Sequence, residues 1–274
     1  MSAASALREA AARLTSVSDT PRLDAELLMA HAAGLERGDL ILRLRDIATP
    51  AGFAALIERR LAHEPVSHIL GTRDFWTLSL AVTRDVLTPR PDSETLIEAA
   101  LAHFAENEGP GRILDLGTGS GALLLAALSE WPKATGLGID ISAAALAVAR
   151  ANAQACGLAH RAEFRPGDWF AGIDEHFDLI LANPPYIATH AALPRDVADY
   201  EPHLALFAGV DGLDAYRLLA PALGARLAPH GMAAIEIGYD QGESTAALFA
   251  AQGFAVTLLR DLAGQARCLK LTHV

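Results

Sequence analysis

The run Arg112-Ile113-Leu114-Asp115-Leu116-Gly117-Thr118-Gly119-Ser120-Gly121, continued by Ala122-Leu123-Leu124-Leu125, decides the fold. Residues 112–116 have strand length and, after Arg112, are apolar but for one carboxylate. Residues 117–121 hold three glycines in five positions, and residues 122–129 read as an apolar helix. A strand that turns on glycines into a helix brings backbone close to a ligand and presents the free N–H groups of a helix start. Such a turn also serves simply to pack a strand on a helix, so its neighbours matter. Downstream, strands are expected at 134–139, 162–165, 177–181 and 232–237, with helices at 142–155, capped by Ser142, and at 213–227. A helix near 244–252 and strands at 254–259 and 268–272 close the chain. This alternation predicts an α/β fold: a mostly parallel seven-stranded sheet covered on both faces. The short link between the last two strands predicts a hairpin, and with it an antiparallel edge.

The N-terminal third has a different period. Residues 3–14 read as a helix. Pro21 opens a second, with Leu23, Leu27, Leu28 and His31 at helical spacing and Gly34 ending it, and residues 51–61 make another after Pro50. From Phe75 the period falls to two, with Trp76, Leu78, Leu80 and Val82 on one face of a strand. Pro89 and Pro91 then flank Arg90, and Asp92 or Ser93 can cap a helix reaching about residue 105. The chain thus divides into a small helical bundle at 1–75, a β-hairpin connector at 76–90, and the α/β domain at 91–274.

Composition narrows the chemistry. The 274 residues carry a net charge of −11, which argues against direct contact with nucleic-acid backbone. Residues 1–85 hold 10 basic and 11 acidic side chains, against 12 and 22 in the remainder, so the first third is nearly neutral. Lys133 and Lys270 are the only lysines and neither follows a glycine, which excludes a Walker-A loop. None of the ten histidines sits in an H-E-x-x-H arrangement, and no metal site is expected. Two cysteines make no disulfide framework. No cationic, apolar leader or bilayer-length run is visible, so a soluble, cytoplasmic protein is expected, with no membrane partner and a monomer as the default.

Two ends of a site can be read along the sheet. Asp140 ends the second α/β strand 19 residues after Gly121, where its carboxylate either accepts from ribose hydroxyls or caps the next helix. The glycine pattern is G-x-G-x-G with Asp115 two residues ahead, and a carboxylate there repels a pyrophosphate but can hold a cationic amino-acid end. That favours S-adenosylmethionine over a dinucleotide. Asp168 and Trp169 are placed to serve an adenine, or Trp169 simply packs the core. At the other end, residues 177–182 run into Asn183-Pro184-Pro185-Tyr186. The prolines stiffen the backbone and offer no N–H, so the Asn183 side-chain oxygen and the Pro184 carbonyl are two acceptors suited to a planar –NH₂ group, with Tyr186 against its face. Adenine, cytosine and the amides of Gln and Asn all present such a group. As an ordinary rigid turn the same four residues would do nothing.

With these residues in view, the chain resembles the bacterial peptide chain release factor N5-glutamine methyltransferases, within the class I (Rossmann-like) S-adenosylmethionine-dependent enzymes. The likeness runs nearly end to end: Leu23 to Leu28, Glu64-Pro65-Val66, Ile69-Leu70-Gly71, Phe75-Trp76, Pro89 to Glu94, Asp115 to Gly121, Asp168-Trp169-Phe170, Asn183 to Tyr186, Glu201-Pro202, Asp211 to Asp214, Glu236-Ile237-Gly238 and Asp261 to Gly264. It implies methyl transfer from S-adenosylmethionine to the glutamine amide of the Gly-Gly-Gln loop of class 1 release factors. S-adenosylhomocysteine would be the product. The implied cofactor contacts are Gly117, Thr118, Gly119, Ser120, Gly121, Asp140, Trp169 and Asn183, with Asp115 and Asp168 added from the reading above. The implied glutamine contacts are Asn183, Pro184, Pro185 and Tyr186, of which Asn183, Pro184 and Tyr186 would carry the catalysis. The N-terminal helices would help dock the release factor. Gln265-Ala266-Arg267 departs from the usual ending, and Ser93 replaces a common threonine while keeping the hydroxyl for a cap. Three rivals stand beside this: a ribosomal-protein glutamine methyltransferase, which typically has Pro-Arg-Ser-Pro at 89–92, a DNA adenine-N6 methyltransferase, and a cofactor-binding module without activity.

Overall fold

The computed structural model describes residues 2–274, which separate into two compact units. The helical unit is built from α1 (Ala3–Leu14), α2 (Pro21–Ala33), α3 (Arg37–Arg43), α4 (Phe53–Leu61) and α5 (Val66–Leu70), and it takes in residues 193–200 from later in the chain. Ser2 caps α1, Pro21 starts α2, and Gly34 ends α2 in the left-handed region at φ 64°. Leu7, Leu14, Leu28, Met29, Leu40 and Ile57 form its core. The sequence reading has no counterpart for α3 and α5, whose seven and five residues are too few to display a period. A buried ion pair crosses this core: Arg60 Nε donates to Asp24 Oδ2 at 2.8 Å, and Arg60 Nη2 donates to the Val17 carbonyl at 2.9 Å.

The second unit opens with a two-stranded hairpin of β1 (Thr72–Phe75) and β2 (Leu78–Ala81). The hairpin expected at 76–90 lies instead at 72–81, because the chain turns at Trp76, φ 55°, inside the stretch read as one strand from Phe75. Trp76 is held there by hydrogen bonds from its backbone N–H to Glu94 (2.8 Å) and from its indole N–H to Glu130 (2.6 Å). A 3-10 turn (Pro91–Ser93) leads into α6 (Glu94–His103).

The main sheet and its helices follow as β3 (Arg112–Leu116), α7 (Ala122–Glu130), β4 (Thr135–Asp140), α8 (Ala143–Ala155), β5 (Ala162–Pro166) and β6 (Phe177–Ala182). The chain contributes α9 (Arg195–Ala198) to the helical unit. It then completes the sheet with α10 (Asp214–Leu223), β7 (Leu227–Glu236), α11 (Gly242–Ala250), β8 (Phe254–Arg260) and β9 (Ala266–His273).

The strand order is β5-β4-β3-β6-β7-β9-β8. The first five strands are parallel, and β9 runs antiparallel between β7 and β8. The expected terminal hairpin is present, with its second strand inserted inside its first. Helix α10 stops well before residue 227 because β7 starts there, and the pairing of β6 with β7 slips between Phe177 and Leu179. Alternate strand residues feed two cores. Ile113, Leu179, Leu181 and Met232 face α6, α7 and α8, while Leu114, Ile180, Ala233 and Ile235 face α10 and α11.

This order places the site. From β3 the chain crosses to β4 on one side, and from β6 to β7 on the other, so a crevice opens past the carboxyl ends of β3 and β6. Leu116 pairs with Ala182 in register, so Gly117 and Asn183 leave the sheet side by side.

Candidate active site

The crevice holds a cavity of about 390 Å³. Its wall includes Asp115, Gly117, Thr118, Gly119, Ser120, Asp140, Asp168, Trp169, Asn183 and Pro185, so residues expected at both ends of the site meet in one space. Gly121, Pro184 and Tyr186 are not part of that wall. Gly121 sits one layer back at φ 83° as the N-cap of α7, where an added Cβ would meet Ala149 and Leu125 at 3.3 Å. Pro184 is buried and Tyr186 half-buried.

The glycine turn is fixed from both sides. Gly117 and Thr118 N–H groups both donate to the Ile139 carbonyl at 2.9 Å, and Gly119, at φ 54°, donates to Asp140 Oδ2 at 2.8 Å. Asp140 Oδ1 accepts from Ser142 N–H at 2.8 Å, while the cap of α8 is made by Ser142 itself, whose hydroxyl accepts from Ala145 N–H at 3.2 Å. Asp140 thus ties the glycine turn to the start of α8 and still faces the cavity. Asn152, unremarked in the sequence, ties the turn to β2: its amide donates to the Ser120 carbonyl (2.9 Å) and the Ala81 carbonyl (3.1 Å) and accepts from Ala81 N–H (2.8 Å).

Asp115 is 1% exposed. Its Oδ2 accepts from the Thr118 hydroxyl at 2.6 Å, and its Oδ1 is buried with no hydrogen-bond partner. Burial pushes the carboxyl up to about 7, with Thr118 and the nearby backbone N–H of Leu124 opposing and the charge of Asp140 adding to the rise. A buried acceptor left unsatisfied on a cavity wall is costly, and it matches a donor or cation brought by a ligand. Trp169 packs on the core and also lines the cavity, at φ 51°.

Asn183 meets partners that the sequence reading missed. Its Nδ2 donates to the Ser93 hydroxyl oxygen at 3.2 Å. Ser93 makes no capping bond to α6, so the expected cap is corrected: its hydroxyl faces a residue 90 positions away. Behind both lies Glu236, 1% exposed, with the polar side chains of Ser93 and Asn183 beside its carboxyl. Burial lifts Glu236 to about 7 against the pull of those two side chains and of Arg267. Glu236 stands in the sequence as a charge inside the apolar run 232–237 and within the resembled Glu236-Ile237-Gly238, neither of which says what it touches.

Tyr186 is anchored through its backbone. Gln241 Nε2 donates to the Tyr186 carbonyl at 2.9 Å, and a Cβ at Gly212 would lie 2.3 Å from that same oxygen, so only glycine fits. Burial, with the charge of Glu236, raises the Tyr186 phenol to about 12. Arg90 lines the cavity and donates to both oxygens of the buried Glu201 carboxylate at 2.9 and 2.8 Å. Arg267, in the loop that departs from the resembled pattern, pairs with Asp261 (3.2 Å) and Asp92 (3.3 Å).

A family model described as the PrmC N-terminal domain matches residues 5–71, and one described as the methyltransferase small domain matches residues 93–199. The chain is 49% identical over 257 residues to a release factor glutamine methyltransferase of Rhodospirillum rubrum, covering 92% of this chain and 78% of that one. It is 48% identical over 274 residues to the protein of the same name from Cereibacter sphaeroides, covering 97% of each. Among solved structures, a methyltransferase from Pyrococcus furiosus is similar in fold, with a TM-score of 0.55 at 15% identity, covering 81% of this chain and 98% of that one.

Proposed function

The chain belongs to the release factor glutamine methyltransferase family, and on that premise we propose that it uses S-adenosylmethionine to methylate the glutamine amide nitrogen (N5) of the Gly-Gly-Gln motif in class 1 peptide chain release factors. The observation that carries this reading is the pairing of Leu116 with Ala182, which sets the glycine turn and Asn183 on one cavity. The residues present suit the methyl donor. Gly117 to Gly121 would cradle it, Asp140 would accept from its ribose, Trp169 and Asp168 would hold its adenine, and the unpartnered Asp115 Oδ1 would receive its ammonium group. When bound, S-adenosylmethionine supplies a methyl group on a cationic sulfur.

The remaining work falls to the chain's own groups. Asn183 Oδ1 and the Pro184 carbonyl accept the two amide N–H groups of the glutamine. This orients the nitrogen and pushes electron density back onto it. Pro185 stiffens the turn and Tyr186 packs against the planar amide. With its phenol held near 12, Tyr186 stays neutral and acts by contact, not as a base. The amide nitrogen loses one proton overall, and water takes it. The nearly neutral, arginine-bearing residues 1–75 are read as the surface that meets whole release factor.

The test offers isotopically labelled S-adenosylmethionine with unmethylated release factor, ribosomal protein and duplex DNA in separate reactions. Label in release factor alone is expected. Label in ribosomal protein or DNA alone overturns the substrate while leaving amide-or-amine methylation standing.

A further inference from the structure

An asparagine carboxamide has two ends of nearly equal size, and only hydrogen bonding decides which faces a ligand. The difference is decisive at Asn183. Its oxygen would receive an N–H of the substrate amide, whereas its –NH₂ would oppose that group donor to donor. Something in the protein must therefore forbid the flipped form.

We propose that Ser93 and Glu236 are positioning residues that lock the Asn183 carboxamide with its nitrogen turned into the protein and its oxygen toward the substrate amide. The proposal rests on the function read above. Ser93 and Asn183 both line the cavity, while Glu236 stands behind them off the wall. An ionised carboxylate only accepts hydrogen bonds, so the end of Asn183 that meets Glu236 has to be the –NH₂. The Ser93 hydroxyl completes the lock by accepting from Nδ2 at 3.2 Å, which leaves its own hydrogen to turn toward the Glu236 carboxyl beside it. With Glu236 ionised, the chain of donation from Asn183 through Ser93 to Glu236 has one sense only. It also polarises the carboxamide so that its oxygen is a stronger acceptor.

The setting of Glu236 works against its charge, so the lock belongs to the ionised form, above about pH 7. Its Oε2 is buried without a partner, so the residue is no ordinary structural ion pair. The groups facing it are Arg267 and Cys268 on β9, Asp92 in the 3-10 turn, Tyr186 past β6 and Tyr216 on α10. Of these only Arg267 favours the ionised form, and its guanidinium is shared with Asp92 and Asp261. Tyr216 spends its hydroxyl on the Glu236 backbone carbonyl at 3.0 Å, leaving the carboxylate to Ser93 and Asn183.

The test uses the full chain with Ser93→Ala, Ser93→Thr and Glu236→Gln. Ser93→Ala removes one hydroxyl, and Ser93→Thr restores it. Glu236→Gln keeps the shape but offers an N–H that can bind the Asn183 oxygen and license the flip. Single-turnover methylation of release factor is expected to slow about tenfold or more in Ser93→Ala and Glu236→Gln, with KM and donor affinity within about threefold, and to recover in Ser93→Thr. A second readout needs no turnover. The Asn183 side-chain amide signal in nitrogen-edited NMR, assigned by its loss in Asn183→Ala, should move as pH crosses about 7 in the parent, and should stay still in Glu236→Gln. Transfer rates within twofold of the parent in both variants, or an Asn183 signal indifferent to Glu236→Gln, would overturn the proposal. Failure of the parent to methylate release factor would instead strike the functional reading, with the NMR arm still deciding the lock.

Discussion

Replacing Asp115 by Asn is expected to stabilise the ligand-free protein above neutral pH while weakening its hold on the methyl donor. The carboxyl is 1% exposed with one oxygen unpartnered, and burial lifts it from an ordinary 3.8 to about 7. Between those values the folded chain keeps a proton that the unfolded chain has released, so stability falls as pH rises through that window. At about 1.4 kcal/mol per pH unit, the loss amounts to roughly 4 kcal/mol by pH 8. Asparagine keeps the shape and the acceptor for Thr118 but does not titrate, so its pH-independent offset leaves the trend intact. The stability gap between variant and parent should therefore widen by about 4 kcal/mol from pH 4 to pH 8, on the order of 10 °C in melting temperature for a unit of this size. Melts followed by circular dichroism across that range measure it, and every other titrating group cancels in the difference except Asp140, whose charge is coupled to Asp115. Calorimetric titration of S-adenosylmethionine supplies the counterpart: parent affinity should fall below pH 7, and variant affinity should be weak and flat. Stability curves that run parallel across the range would refute the reasoning, because Asp115 would then not be a buried carboxyl poised for a cation.

Asn183→Ala should bind the donor within a few-fold of the parent yet lose about 10²–10³ in kcat, since one amide acceptor is gone; near-normal turnover would sink its assigned role. Asp140→Ala should weaken donor binding by roughly 10- to 100-fold, because a charged acceptor of the Gly119 N–H is removed along with the ribose partner, and an unchanged titration would take Asp140 out of the site. Reversing Arg43 and Arg45, both exposed beside the 82%-exposed Leu42, should raise KM several-fold for whole release factor and leave a short Gly-Gly-Gln peptide unaffected. Equal effects on both substrates would argue against docking on this face.

Local signals made much of the fold legible. The turn at 117–121, the strand before it and the Ser142 cap were readable because each is decided by neighbouring residues. What escaped the sequence is non-local. Trp76 adopts a positive φ that Glu94 and Glu130 stabilise from 18 and 54 positions away, so an even alternation concealed a turn. The terminal hairpin was visible, but nothing local says that β9 inserts between β7 and β8. At the site, residue types and strand ends put Asp140 and Asn183 beside the same cavity. Ser93 was misread because a hydroxyl before a helix has a ready local use, whereas its partner lies 90 residues on.

The most direct test of the central claim is to digest release factor after reaction and locate the methyl group by mass spectrometry with fragmentation. A single methyl on the side-chain amide of the Gly-Gly-Gln glutamine, absent with Asn183→Ala, is the expected result. A methyl on any other residue, or an unmodified glutamine beside labelled lysine or arginine, would contradict the account of Asn183 and Pro184 as a receptor for a planar amide.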